Sequence, residues 1–455
     1  MLSPIFDRFV EESPISVMAR GMMERALNPE QLDLWFDKTA EAQYTRELLF
    51  SSVFNIMSQV VSGSQKSVGS AYQASKEEIP VSVVSVYNKL NGIEVNTSAE
   101  LVRYAAGAVT PVITGLKGTA SSPLPRYNVR LIDGNCIEAS ERRIEELRSL
   151  AAGPLPGKLL VVYDPELRIP VDVFPCEDGH AQERSLLTAV LPTVNANDLW
   201  VADRNFCTVE FICGIADKDA YIVFRQHGNL PYTVLGKEKA IGKIETGKVF
   251  EQGIEVVDHN GKKHKFRRIR VLLKKKTRDG DKEIFIISNL PKRVVGAKKI
   301  AEIYRGRWTI ETSFQELEKW FNSEINALGY PPAAIFGFCV SLVSYMMVSV
   351  IKAALCSIHG NQVVEEKVSG YYLADELSAT YQGMMIAISP DEWKEFNLLT
   401  QRQLIAVVKK LSKKVKLSRF LKHPRGPKKP MPKRKSDPKH PHVSTARLLA
   451  ARKGK

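Results

Sequence analysis

Residues 303–321, IYRGRWTIETSFQELEKWF, are a helix-length run in which an early acid, Glu311, follows Arg305 and Arg307. Ile303, Ile310, Phe314, Leu317 and Phe321 recur at helical spacing and predict a stripe that packs on a sheet. Tyr304, Arg307 and Glu311, at i, i+3 and i+7, share the adjoining face. On a helix surface a Glu four residues after an Arg is ordinarily an ion pair worth about 0.2–0.5 kcal/mol and nothing more. That reading changes if other parts of the chain deliver carboxylates to the same face.

Two stretches do so. NVRLIDGNCIEAS, 128–140, places Asp133 after an apolar run and before Gly134, the pattern of a strand end. PGKLLVVYDPELRIPVDVFPC, 156–176, reads as a strand pair around Asp164-Pro165, and HAQERSLLTAVLPTV, 180–194, as an amphipathic helix. DLWVADRNF, 198–206, repeats the first device with Asp203, and a helix (TVEFICGIAD, 208–217) and a strand (AYIVFRQH, 220–227) follow. A lone strand-end Asp is usually a turn residue. Two on adjacent strands, followed by a helix with a third acid, form a set that can share divalent cations, which prefer oxygen ligands.

The trio Asp133, Asp203 and Glu311, the stretch ADRNF at 202–206, and the spacing Tyr304-x-x-Arg307-x-x-x-Glu311 resemble the DDE transposases of prokaryotic insertion sequences, specifically the insertion-sequence-four family. Its signature is Y-x2-R-x3-E-x6-K, and the resemblance covers about 125–350. It departs at position 318, where the signature lysine is replaced by Glu318 and Lys319 stands next to it. The resemblance implies an α/β chain with an RNase H-like mixed-sheet catalytic core interrupted by a β-rich insertion. It implies that Asp133, Asp203 and Glu311 are catalytic and hold Mg²⁺ or Mn²⁺, as two ions, for cleavage of element ends and their joining to target DNA. Tyr304 and Arg307 become phosphate contacts, and Lys319 a further one. The partner is double-stranded DNA, held by a homodimer. Some relatives stack a flipped base on an aromatic ring; Trp308, Phe250, Phe266 and Tyr232 are the rings available for that. The spacing suits an insertion, because 70 residues separate the two aspartates and 108 separate Asp203 from Glu311.

The boundaries that follow are a helical DNA-binding region at 1–120, the first part of the core at 121–227, a basic β-rich insertion at 228–297, the second part of the core at 298–405, and a basic, disordered tail at 406–455. The composition is globular, with 44% hydrophobic and 25% charged residues in 455, and 455 residues exceed one ordinary core. The net charge of +15 is uneven: Lys409 to Lys455 hold 18 Lys and Arg against one acid, Asp437, in a Pro-rich run whose charge excess is expected to have no acidic partner in the chain, and the body is nearly neutral. Such a tail suits a polyanion. Residues 262–307 carry 17 basic against four acidic residues in runs such as KKHKFRRIRVLLKKKTRDGDK, with Asn260-Gly261 and Asp279-Gly280 as hairpin turns. A cationic strand face repels itself and calls for phosphate, which makes Lys274, Lys275, Lys276 and Arg305 DNA contacts.

Ala333 to Ile351 form an uncharged run of 19 residues, read as a buried helix starting at Pro331-Pro332 rather than a membrane span. Six cysteines without C-x-x-C pairing point to reduced thiols in a cytoplasmic, nucleoid-associated protein, and the N-terminus lacks a secretory pattern. PVSVVSVYNKLNGIE, 80–94, reads as a recognition helix with Ser82, Ser85, Tyr87, Asn88 and Lys89 outward, or as plain helical packing. His180, Glu183 and Arg184 read as a helix start in preference to a metal site. Two other functions share the pattern: a structure-specific nuclease without strand transfer, and a non-catalytic DNA-binding derivative.

Overall fold

The structure is a computed structural model, and it describes residues 2–43, 47–138, 140–141, 143–150, 152–277, 280–423 and 442–453. Its strands are β1 (Asn128–Cys136), β2 (Gly153–Leu155), β3 (Lys158–Asp164), β4 (Ile169–Cys176), β5 (Asp198–Ala202), β6 (Tyr221–Arg225), β7 (Thr233–Lys243), β8 (Gly247–Val257), β9 (Lys263–Leu273), β10 (Glu283–Ser288) and β11 (His442–Ser444). Nine of them form one mixed sheet in the order β4-β3-β1-β5-β6-β10-β9-β8-β7. β1, β5 and β6 run parallel, whereas β3, β4 and β10 to β7 pair antiparallel with their neighbours.

Alternation along the strands explains why the sheet is covered on both faces. Leu131, Val161, Val173, Leu199, Val201 and Val223 point into one apolar cluster. Ile132, Leu160, Val162, Trp200, Ala202, Ile222 and Phe224 point into another, closed by the helix Val209–Asp217. The first cluster is the larger and holds the helices that precede and follow the sheet, from Phe6 to Phe420.

At its centre lies the helix Pro331–His359, with prolines at its first two positions and Gly360 at φ +87° ending it. It is long and apolar enough to cross a membrane, yet 94% of its most apolar window is buried inside the protein, as a core helix would be. Among the described residues before 117 the regular elements are helices, including Pro14–Ala26, Phe50–Val61 and Val95–Leu116. The candidate recognition segment is the helix Val83–Asn91, capped by the Ser82 hydroxyl. Ser82 and Asn88 are exposed there, but Ser85, Tyr87 and Lys89 are half-buried, with the Lys89 ammonium 4.7 Å from the Phe36 ring. The expected helix at 180–194 is instead a chain of short turns, Glu183–Leu186, Leu187–Val190 and Leu191–Thr193, because Pro192 cannot donate to a continuing ladder.

Two charge expectations are corrected. The basic strands are not self-repelling, because acids from neighbouring strands neutralise them. Arg267 pairs with Glu251 at 2.6 Å, Lys263 with Glu255 at 3.0 Å, and Arg270 with Glu238 and Glu283. The C-terminal segment also has acidic partners and is ordered where described. Gln401–Lys414 is a helix with Leu404, Val408 and Leu411 buried, Lys414 pairs with Glu11, and Arg419 with Glu376. Further on, β11 pairs parallel with β2, and the helix Thr445–Lys453 ties Arg447 to Asp178 at 2.8 Å and Arg452 to Glu146. Most of the Pro-rich run, 424–441, lies outside the described residues, as does Asp279 of the second hairpin turn.

Val343, 1% exposed at the middle of the central helix, gives a direct test. Val343→Asp buries an unpaired carboxylate and is expected to move the protein to the insoluble fraction, whereas Ile386→Asp, at an exposed position, stays soluble. A soluble Val343→Asp variant with the wild-type melting temperature contradicts this packing.

Candidate active site

The opening stretch folds as two helices, Ala297–Arg305 and Trp308–Trp320, rather than one. Between them the turn tightens to i→i+3 bonds: Arg307 N donates to Tyr304 O at 3.0 Å, Thr309 N to Gly306 O at 3.1 Å and Ile310 N to Arg307 O at 3.1 Å. The predicted stripe is buried, with Ile303, Ile310, Leu317 and Phe321 inside and Phe314 packed at its margin. Each of these side chains contributes about 1.5–3 kcal/mol on burial. That is enough to press a helix carrying Arg307 and Glu311 onto the sheet.

Register places the aspartates. Ile132 of β1 lies beside Ala202 of β5 in the parallel pair, so Asp133 and Asp203 are the next residues on each. Side chains alternate, so Asp133 shares a face with Leu131, and Asp203, following Ala202, lies on the face of Val201. That is the face on which the helix Trp308–Trp320 sits. β1 continues past this point against β3, with Asp133 opposite Val161, while β5 ends and Asp203 caps the turn Arg204–Phe206 by accepting from Arg204 N at 2.6 Å.

Arg307 joins the pieces. Its Nη1 donates to Asp133 Oδ2 at 2.9 Å and its Nη2 to Glu311 Oε1 at 2.6 Å, with the guanidinium side chain only 5% exposed. The i, i+4 pair expected of a surface glutamate is therefore present, but it is one half of a bridge to Asp133 on β1. Burial opposes the Arg307 charge, and Asp133, then Tyr304, Glu311 and Asp203, outweigh it and raise its pKa. Tyr304 is buried next to Asp203 and Arg307, and burial first, then Asp203, pushes its hydroxyl upward. Burial also pushes Asp133 up to about 7, in spite of Arg307 and the Gly134 N–H, with Glu311 and Glu183 adding to the rise.

The other sequence candidates lie around this centre. Arg305 is exposed and pairs with Glu245 at 2.5 Å, tying the β7–β8 turn to the helix Ala297–Arg305. Lys274, Lys275 and Lys276 are exposed after β9, without an ion pair among the described residues. Lys274 and Lys275 line a cavity of about 510 Å³ together with Tyr304, Arg305 and Trp308. Trp308 is 59% exposed there, whereas Phe266 is buried, Phe250 lies under Arg270 and Tyr232 near Arg268. Lys319 is exposed and lines a different groove, with Gln315, Trp320, Tyr371 and His423. Glu183, read from sequence as a helix start, begins the short turn Glu183–Leu186, and its carboxylate lies over the Gly134 backbone on the face away from the Asp133 side chain. The signal for it was the glycine after Asp133, whose missing side chain leaves the room.

Asp133, Asp203 and Glu311 form an all-oxygen donor set, which suits a hard divalent cation. Burial, the main cause of the raised Asp133 carboxyl, makes its negative charge costly, and Arg307 only partly offsets this. Among the described residues, the group whose ligand atoms already lie within 4.8 Å of one another is a different one, Asp217, Asp258 and His264. There Lys262 stands 2.5 Å from Asp217 and supplies the positive charge, and Asp258 accepts from the backbone N–H of Asn260 and Lys262 at the hairpin turn.

Residues 125–331 match the family model described as the transposase DDE domain, which supports a DDE transposase. The span contains Asp133, Asp203 and Glu311. The chain is also similar to a piggyBac transposase synaptic complex with hairpin DNA, solved by cryo-EM, at 9% identity and a TM-score of 0.35, over 88% of this chain and 86% of that one. That likeness is too loose to carry an argument about residues. No curated protein sequence matches the chain.

The Asp133 environment predicts a pH-dependent effect in metal-free protein. A folded pKa of about 7, above the unfolded value, means the folded state holds the proton more tightly, so stability is present at low pH and lost as pH rises through 7. Asp133→Asn, which mimics the protonated acid, is expected to gain in melting temperature relative to wild type between pH 6 and pH 8. A constant difference across that range contradicts the raised carboxyl.

Proposed function

We propose that the protein is a DNA transposase of the insertion-sequence-four type, which cleaves the ends of an element and joins them to target DNA by phosphoryl transfer. The strand order β4-β3-β1-β5-β6, with the acids at the ends of β1 and β5, supports an RNase H-like core. Strands β7 to β10 then belong to the insertion, carried on the same sheet. The observation that carries the reading is the Arg307 bridge from Glu311 to Asp133, beside Asp203.

Asp133, Asp203 and Glu311 would hold Mg²⁺ or Mn²⁺, as two ions. When bound, such ions activate the attacking oxygen and stabilise the leaving oxygen in an in-line displacement at phosphorus. The chain's own residues do the remaining work. Arg307, freed from the carboxylates it neutralises, offers a planar fork suited to phosphate. Tyr304, expected as a phosphate contact, is buried beside Arg307 and is better placed to support Arg307 than to meet DNA. Water serves as the first nucleophile and the released 3′-hydroxyl as the second, so no protein side chain forms a covalent bond to DNA. Trp308, beside the cavity lined by Lys274 and Lys275, offers a ring for an unstacked base. Lys274, Lys275 and Lys276 fix the duplex through its backbone, and a homodimer would hold two ends.

The test is incubation with supercoiled DNA carrying the element's ends and Mg²⁺. Asp133→Asn, Asp203→Asn and Glu311→Gln are each expected to lower nicking by more than about 100-fold, since loss of an outer-shell partner alone costs about 10–100-fold. End binding remains, and Glu318→Gln, exposed on the same helix, nicks normally. Nicking by all three acid variants at the wild-type rate removes this function, and cleavage without joining makes the protein a nuclease.

Replacing Lys274, Lys275 and Lys276 by alanine is expected to lower the slope of log K against log salt by about 2.7, at roughly 0.9 per phosphate. An unchanged slope excludes them as contacts.

A further inference from the structure

We propose that Glu316 is a positioning residue: through the Tyr345 hydroxyl it locks the rotation of the helix Trp308–Trp320, and so sets where Glu311 stands when the cations are bound. This rests on the function proposed above. Glu316 lies five residues after Glu311, which at 3.6 residues per turn places it about 140° away around the helix. Glu311 is tied to β1 through Arg307, while Glu316 Oε2 accepts from Tyr345 Oη, on the central helix, at 3.0 Å. Tyr345 is 4% exposed, and burial pushes its hydroxyl well above the ordinary tyrosine value, so it keeps its proton and donates. Beside that hydroxyl stands Tyr163 of β3, also buried, which lies opposite Leu131 of β1, two residues before Asp133. Trp320 closes the contact. Its ring stacks on Tyr345 at 5.3 Å and 11°, in room left by Gly370, where a Cβ would stand 2.1 Å from the indole.

The apolar stripe presses the helix onto the sheet, but burial is non-directional and does not by itself fix rotation. A rotation of about 20° moves a group about 5 Å from the helix axis by about 1.7 Å. Misplacement of about 1 Å costs on the order of 100-fold in rate. In the metal-free protein Arg307 fixes the rotation by holding Glu311 to Asp133. That hold is given up when cations enter between the acids and displace the guanidinium. The Glu316–Tyr345 hydrogen bond lies on another side of the helix and uses none of Asp133, Asp203 and Glu311, so it persists when they are occupied. A directional bond between two packed helices supplies what the stripe lacks.

Three variants separate positioning from packing. Glu316→Gln keeps an oxygen that accepts from Tyr345, Glu316→Met keeps the length of the side chain without the acceptor, and Tyr345→Phe removes the donor. Mn²⁺ binding to the metal-free full-length protein is read from the loss of the free-ion electron paramagnetic resonance signal. It is expected to weaken about tenfold in Glu316→Met and in Tyr345→Phe, no further in the double variant, and by less than about twofold in Glu316→Gln. Wild-type affinity in Glu316→Met and Tyr345→Phe, even with a lower melting temperature, alongside affinity lost in Glu311→Gln, overturns the positioning role alone. An equal loss in all three variants makes the charge of Glu316 the cause and overturns it too. Wild-type affinity in Glu311→Gln overturns the cation site, and the positioning role with it.

Discussion

The site depends on one buried guanidinium. Arg307 is pressed inward because the residues before and after it, Ile303 and Ile310, belong to the core, and the tightened turn at Gly306 leaves it no route to solvent. A buried cation is tolerated only with partners, and removing one side of such a pair costs about 3–5 kcal/mol. Asp133 and Glu311 are those partners. The same contact that makes the helix Trp308–Trp320 dock therefore fixes where its glutamate stands relative to β1. Glu311 answers to Arg307, as its spacing suggested, and through Arg307 to the sheet.

Strand register supplies the other half. Ile132 beside Ala202 brings the two aspartates level at the place where β5 stops and β1 goes on. This end of the sheet gathers Asp133 and Glu311 on the Arg307 guanidinium, with Asp203, Tyr304 and Arg225 close by. Burial raises the Asp133 carboxyl, and Glu311 adds to the rise against the pull of Arg307. Elsewhere the same chain balances its charges closely, as at Arg267 with Glu251 or Lys262 with Asp217.

Much of this was legible in sequence because it is local and periodic. The stripe from Ile303 to Phe321, the apolar runs ending in Asp133 and Asp203, and the central helix announce themselves by spacing and by their neighbours. What was illegible is pairing at a distance. The cations of β9 looked unopposed because Glu251 and Glu255 lie on β8, in antiparallel register with them. The C-terminal basic segment looked free because Glu11, Glu376, Asp178 and Glu146 are remote in the chain. The break at Gly306 was hidden because a tightened turn keeps the apolar stripe in phase.

The central claim is that these acids, and not the Asp217, Asp258 and His264 group, form the cation site. Anomalous diffraction from crystals of the full-length protein soaked in Mn²⁺ locates the ion directly. The account predicts a peak between Asp133 and Asp203, with the Arg307 guanidinium drawn away from Asp133. A peak at Asp217, Asp258 and His264, with none beside Asp133, contradicts it.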